Sequence, residues 1–164
     1  MPEPANDAIE KAIGEAQQLI RQGQGPSALA LLQDMATQHP ANHDLQLNIA
    51  MARRSQGDLP GTIATLNKAL AIEPYSFLAL LSKGSVLEQM GDVRNAADVY
   101  GNAVRIAPQG PNLPPSLQAP LEHAKKIIAE QAQAMAEHFR VALAPLVENH
   151  AQESLSRFGE CVEV

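Results

Sequence analysis

Apolar and small residues recur through the first two-thirds of the chain at steps of three and four, the spacing of one face of an α-helix. Gly and Pro interrupt these runs at a fixed interval. Pro40, Pro74 and Pro108 stand 34 residues apart. At that period Ala16, Ala50 and Gly84 share one column, Gly23, Gly57 and Gly91 a second, and Ala28, Thr62 and Ala96 a third. Leu32, Leu66 and Tyr100 make a fourth, and Met35, Ala69 and Ala103 a fifth. Each column has a physical reason. A helical hairpin closes tightly only where small residues meet at the crossing, and the Ala16 and Ala28 columns supply them. The Leu32 column fills the space against the neighbouring hairpin. The Gly column suits a left-handed residue that ends the first helix of each hairpin, and Asp58 and Asp92 after it are good turn residues. The prolines stop the second helix, since proline cannot donate the next helical hydrogen bond.

This reading predicts helices near 6–22 and 26–38, 43–56 and 60–72, and 76–90 and 94–106. Pro26 and Pro60 fall in a first helical turn, where a missing N–H is no loss. No single helix buries its apolar stripe alone; stacking hairpins does, and about three repeats are needed.

After Pro108 the stretch 109–115, Gln-Gly-Pro-Asn-Leu-Pro-Pro, is a predicted linker. A long helix should follow within 116–148, starting near Ser116 or Pro120 and running to about Ala144. Its stripe is Leu117, Leu121, Ala124, Ile128, Ala132, Met135 and Phe139, one face at helical spacing. Pro145 is expected to end or kink it, and the tail 149–164 to be loosely ordered. A stack of hairpins leaves an apolar end that a capping helix covers, which is the first reading of this helix. A homodimer through a coiled-coil seam is the second.

The period of 34, small residues at the crossings, Gly-Asp at the turn and a closing Pro resemble the tetratricopeptide repeat (TPR) over residues 9–108. The implied fold is all-α: a right-handed solenoid of three hairpins (9–42, 43–76 and 77–108) with a C-terminal capping helix. Ala12, Gln46 and Leu80 stand where the family places a large aromatic. The resemblance implies a concave groove lined by the first helices. Its partner-contacting candidates are Ile13, Gln17 and Arg21, then Leu47, Asn48, Met51 and Arg54, then Leu78, Leu81, Ser85 and Glu88. Asn48 and Arg54 also suit a plain solvated or helix-bonded role, and Leu47, Met51, Leu78 and Leu81 plain packing between helices. Of the basic, Asn-rich clamp by which some family members grip a chaperone's C-terminal carboxylate, only Asn48 has a match. Ile13, Gln17, Leu78 and Ser82 occupy the other places, so no such clamp is expected.

A second resemblance covers the run from Leu113 through Phe139, Leu143 and Leu146 to Ser156-Arg157-Phe158. It is similar to the connector of bacterial aspartyl/asparaginyl β-hydroxylase-family proteins, which carry TPRs, such a helix and then an Fe(II)/2-oxoglutarate domain. That family's iron site needs His-x-Asp, and no His here is followed two residues later by Asp or Glu. The resemblance therefore implies a non-catalytic, substrate-recruiting or regulatory region.

Composition narrows the function. The net charge is −6 and the 12 basic residues are scattered, which disfavours nucleic acid, whose binders concentrate Lys and Arg. No stretch approaches the ~20 apolar residues of a membrane span. One cysteine, Cys161, fits a reducing compartment. The N-terminus shows no signal-peptide pattern, so a cytoplasmic protein is expected. His39 and His43 suit an inter-repeat turn; His123 and His138 are 15 apart on one helix, too far to share an ion. His150 and Glu153 lack a third ligand. With no phosphate loop, CxxC or Ser-x-x-Lys, no cofactor, metal or catalytic group is expected. The leading reading is a non-catalytic scaffold for a protein or peptide partner.

Overall fold

A computed structural model describes the backbone of residues 4–108 and 113–160, with the side chains of 6–108 and 113–153. Six helices pair into three hairpins: α1 (Pro4–Arg21) with α2 (Gly25–Gln38), α3 (His43–Ser55) with α4 (Leu59–Ile72), and α5 (Phe77–Gln89) with α6 (Val93–Ile106). A seventh, α7 (Pro115–Glu160), follows. Each hairpin packs on the next through its second helix, and α7 packs mainly on α6. The fold is an all-α solenoid, and among the described residues there is no strand.

The glycine column does what the sequence demands of it. Gly23, Gly57 and Gly91 have φ of 75°, 76° and 81°, a left-handed conformation that costs other residues dearly. In each turn the glycine N–H donates to the carbonyl three residues back, and the next N–H to the carbonyl five back. These are Gly23 to Ile20 and Gln24 to Leu19, Gly57 to Arg54 and Asp58 to Arg53, and Gly91 to Glu88 and Asp92 to Leu87, all 2.9–3.1 Å. This closing motif satisfies the helix's last carbonyls, and it recurs at the repeat period. Asp58 and Asp92 go beyond turn residues: their carboxylates accept from the N–H of Gly61 and Asn95, capping α4 and α6. Asn42 and Ser76, also one period apart, cap α3 and α5 in the same way. Pro26 and Pro60 sit in the first turns of α2 and α4, as expected.

The core divides into three clusters along the stack. Ala16 and Ala28, Ala50 and Thr62, and Gly84 and Ala96 are all buried at the crossings. Leu32, Leu66 and Tyr100 fill the volume beside them at 0%, 0% and 2% exposure. The third repeat differs in a correlated way. A Cβ on Gly84 would lie 2.5 Å from the Tyr100 ring, well inside contact distance. Glycine stands at that crossing because tyrosine has replaced leucine in the column that faces it.

The C-terminal helix departs from expectation. It runs through Pro145 to Glu160 instead of ending near Ala144, so residues 149–160 are helical. Pro145 removes only the bond to the Val141 carbonyl. Val141 is 60% exposed, so water can satisfy that oxygen and the helix continues. The expected linker also shortens, since Pro115 already begins α7. Residues 109–112 of that linker and the end of the tail, 161–164, lie outside the described residues. Leu121, Ala124 and Ile127 of α7 are buried against the third hairpin, so the proximal part of the helix caps the stack.

Candidate functional site

The first helices of the hairpins, α1, α3 and α5, form one face, and a cleft of about 520 Å³ crosses it. Its walls include Gln17, Ile20 and Arg21 from α1, Asp44, Leu47, Asn48 and Met51 from α3, and Leu78 and Ser82 from α5. Leu117, in the first turns of α7, also lines it. The long helix thus borders the cleft and leaves it open. Met51 and Leu78 are 44% and 43% exposed, so apolar surface is available there.

Polar side chains tie neighbouring helices of this face together. Gln17 Nε2 donates to Asn48 Oδ1 at 3.0 Å, linking α1 to α3. Arg54 Nη2 donates to Ser85 Oγ at 2.9 Å, linking α3 to α5. Both pairs are separated by 31 residues, one repeat less one short helical step, which is the offset that puts two neighbouring first helices side by side. Asn48 also donates Nδ2 to the Asp44 carbonyl at 2.8 Å. The ladder continues to α7: Glu88 lies 2.9 Å from His123 Nε2, and Tyr100 donates its hydroxyl to Glu88 Oε2 at 3.0 Å. The Tyr100 ring meets His123 edge-on at 6.5 Å. Burial raises the Tyr100 pKa to about 12. The hydrogen bond to Glu88 and that residue's charge push the same way, while Ser85 and the Arg54 charge oppose.

Of the eleven expected groove residues, Gln17, Arg21, Leu47, Asn48, Met51 and Leu78 line the cleft. Arg54, Ser85 and Glu88 belong to the ladder that holds α3, α5 and α7 in place. Ile13 is half-buried against the first core cluster. Leu81 is a correction: it is 7% exposed and packs with Ala96, Tyr100 and Ala124. It occupies the flank of α5 that faces α6 and α7, away from the open face, because the capping helix covers that flank. Ile20 and Leu117 were not among the candidates. Ile20 carries a signal in retrospect, one turn on from Gln17 on the same face; Leu117 needed the placement of α7.

Among the described residues no group of three His, Cys, Asp or Glu could hold a metal ion. No helix among them is long and apolar enough to cross a membrane.

No protein-family model matches the chain, and no curated protein matches it. The hydroxylase-family resemblance therefore finds no support there. Solved structures do match. The type III secretion chaperone SycD of Yersinia enterocolitica, in complex with a peptide of the translocator YopD, is 13% identical with a TM-score of 0.67, over 79% of this chain and 95% of that one. The TPR2B domain of yeast Sti1, in a complex with Hsp70, is 19% identical with a TM-score of 0.65, over 76% and 98%. The first TPR of Spaghetti (RPAP3), bound to the HSP90 peptide SRMEEVD, is 16% identical with a TM-score of 0.64, over 79% and 97%. At these identities the likeness is one of fold, and it agrees with the repeat columns, the three glycine turns and the stacked hairpins. The chain therefore has the tetratricopeptide-repeat fold, three TPR hairpins closed by a long seventh helix.

Proposed function

We propose that this chain is a non-catalytic protein-interaction scaffold that takes a peptide or a partner helix in the cleft across α1, α3 and α5. The observation that carries the reading is the cleft itself, open and apolar along Ile20, Leu47, Met51, Leu78 and Leu117. Apolar surface of this kind, rimmed by polar groups, marks interaction sites. A hydrogen-bond ladder on the same face fixes the helices that form it, so the site is preorganised and little ordering opposes binding. Further support comes from the structural neighbours, three of which are seen with peptides or a partner protein.

The matched ligand would present two or three apolar side chains to the centre of the cleft. Arg21 and Asp44 at its margin would add polar contacts that set orientation. A cytoplasmic setting suits the single cysteine.

The test is selection from a displayed random-peptide library on the full chain, followed by fluorescence polarisation. Peptides selected by the native chain should lose at least about tenfold in affinity, or about 1.4 kcal/mol, on Met51→Lys and on Leu78→Lys. Both residues are exposed, so the fold should be unaffected by either change. Peptides that bind both variants as well as the native chain would place the site elsewhere, and a library yielding no binder would count against the reading.

A further inference from the structure

The second repeat departs from its neighbours in three columns at once. Where repeats one and three carry Ala12 and Leu80, Leu19 and Leu87, and Leu31 and Val99, it carries Gln46, Arg53 and Thr65. The fold brings these three polar residues to one place. They line a pocket of about 490 Å³ between α2, α3 and α4, which Ile49, Thr37 and Lys68 also line. At about 100° per residue, Gln46, Ile49 and Arg53 lie on the side of α3 opposite Leu47 and Met51. This pocket is therefore separate from the cleft.

Polar groups at packing positions are costly unless they are hydrogen-bonded. Thr65 meets its need locally, its hydroxyl donating to the Gly61 carbonyl at 2.8 Å. Gln46 does not: it is 9% exposed, and its amide has no hydrogen-bond partner among the described residues. Arg53 is half satisfied. Its Nη1 donates to Asp58 Oδ2 at 2.9 Å, while its Nε is buried with no partner. A Cβ on Gly61 would strike both members of that pair, so glycine leaves room for the contact that fixes the guanidinium.

These unmet groups specify a ligand. The guanidinium edge that carries Nε matches two oxygens of a carboxylate or a phosphate. Lys68 brings a second positive charge, and no acid lines the pocket. The Gln46 amide offers a donor and an acceptor to a neighbouring polar group of the same ligand. The volume falls in the range of small-molecule sites. We infer that this pocket binds a small molecule through its oxyanion, a carboxylate or a phosphate, held by Arg53 and Lys68 with Gln46 beside them. Three apolar packing residues are given up in the second repeat alone because that repeat carries the site.

The test is a nuclear magnetic resonance titration of the full ¹⁵N-labelled chain with sodium succinate and, separately, inorganic phosphate. Sodium chloride at matched ionic strength controls for screening. The Arg53 Nε–H and Gln46 side-chain amide signals should shift and saturate, with half-saturation below about 10 mM, while the Asn48 amide in the cleft stays in place. Saturation by succinate alone assigns a carboxylate, by phosphate alone a phosphate, and by both a site for either oxyanion. Arg53→Lys keeps the charge but loses the forked edge, so it should weaken binding at least about tenfold. Gln46→Leu, which installs the residue of the third repeat, should weaken binding as well, with an unchanged helical signal in circular dichroism. No saturable shift with either salt, shifts that sodium chloride reproduces, or an affinity unchanged in both variants would each overturn the inference.

Discussion

The third repeat offers a sharp test of how the hairpins are packed. Gly84 lies in a helix interior, where Ala is ordinarily favoured by about 1 kcal/mol. Gly84→Ala would place its Cβ 2.5 Å from the Tyr100 ring. Tyr100 is 2% exposed and bonded through its hydroxyl to Glu88, so the ring has little room to yield. Overpacking of this kind costs about 1–3 kcal/mol. Taking about 2 for the clash against about 1 for propensity, Gly84→Ala should destabilise the chain by about 1 kcal/mol. In a Tyr100→Leu background the pair becomes Ala and Leu, the combination present in the first two repeats at Ala16 with Leu32 and Ala50 with Leu66. The clash is then gone and the propensity gain remains, so the same Gly84→Ala change should stabilise by about 1 kcal/mol. The expected coupling in the double-mutant cycle is therefore about 2 kcal/mol, with a reversal of sign. Urea unfolding followed by far-ultraviolet circular dichroism measures all four chains. If Gly84→Ala is neutral or stabilising beside Tyr100, or if the two changes are additive, the packing explanation for this glycine fails.

Two further outcomes follow from the same geometry. The Tyr100 pKa is raised from 10.0 to about 12 in the folded chain, so its contribution is fully present below about pH 10 and is lost as pH rises toward 12. At 1.36 kcal/mol per unit the loss is at most about 2–3 kcal/mol, and less in proportion to the screening of the hydroxyl by water. In Tyr75→Phe, where Tyr100 is the remaining tyrosine, tyrosinate absorbance should appear late and together with unfolding, and Tyr100→Phe should flatten the stability decline over that range; an equal decline in Tyr100→Phe would refute the assignment. Gly57→Ala adds a Cβ into open space at φ 76°, so its cost is purely conformational, about 1–2 kcal/mol, and an unchanged midpoint in thermal unfolding would contradict that account.

Sequence and structure divide the description along a physical line. Six of the seven helices among the described residues are legible because their ends are written locally. A left-handed glycine ends each first helix, and a proline lies just beyond the cap of each second helix. These devices act over a few residues, so a period of 34 carries them from repeat to repeat. The crossings are legible too, since only small residues permit them. Gly84 and Tyr100 take regular places in their columns, and that the two departures from Ala and Leu belong together emerged only from the packing of the third hairpin.

Contacts across elements were decided by tertiary structure. Leu81 reads as a groove residue from its place in the repeat, yet the flank that carries it is covered once α7 docks. Asn48 suits a solvated role from its sequence alone, and only the side-by-side placement of α1 and α3 makes it the partner of Gln17. Arg54 and Ser85 join in the same way between α3 and α5. Pro145 signals a helix end by itself, but the outcome depends on whether the freed carbonyl can reach water, and an exposed helix allows it. By itself the sequence determined the repeat, the turns and the all-α solenoid, because each rests on short-range stereochemistry. Which faces stay open, along the cleft and along the distal half of α7, was settled by the placement of helices distant in the chain, because burial belongs to the assembled stack and not to any one segment.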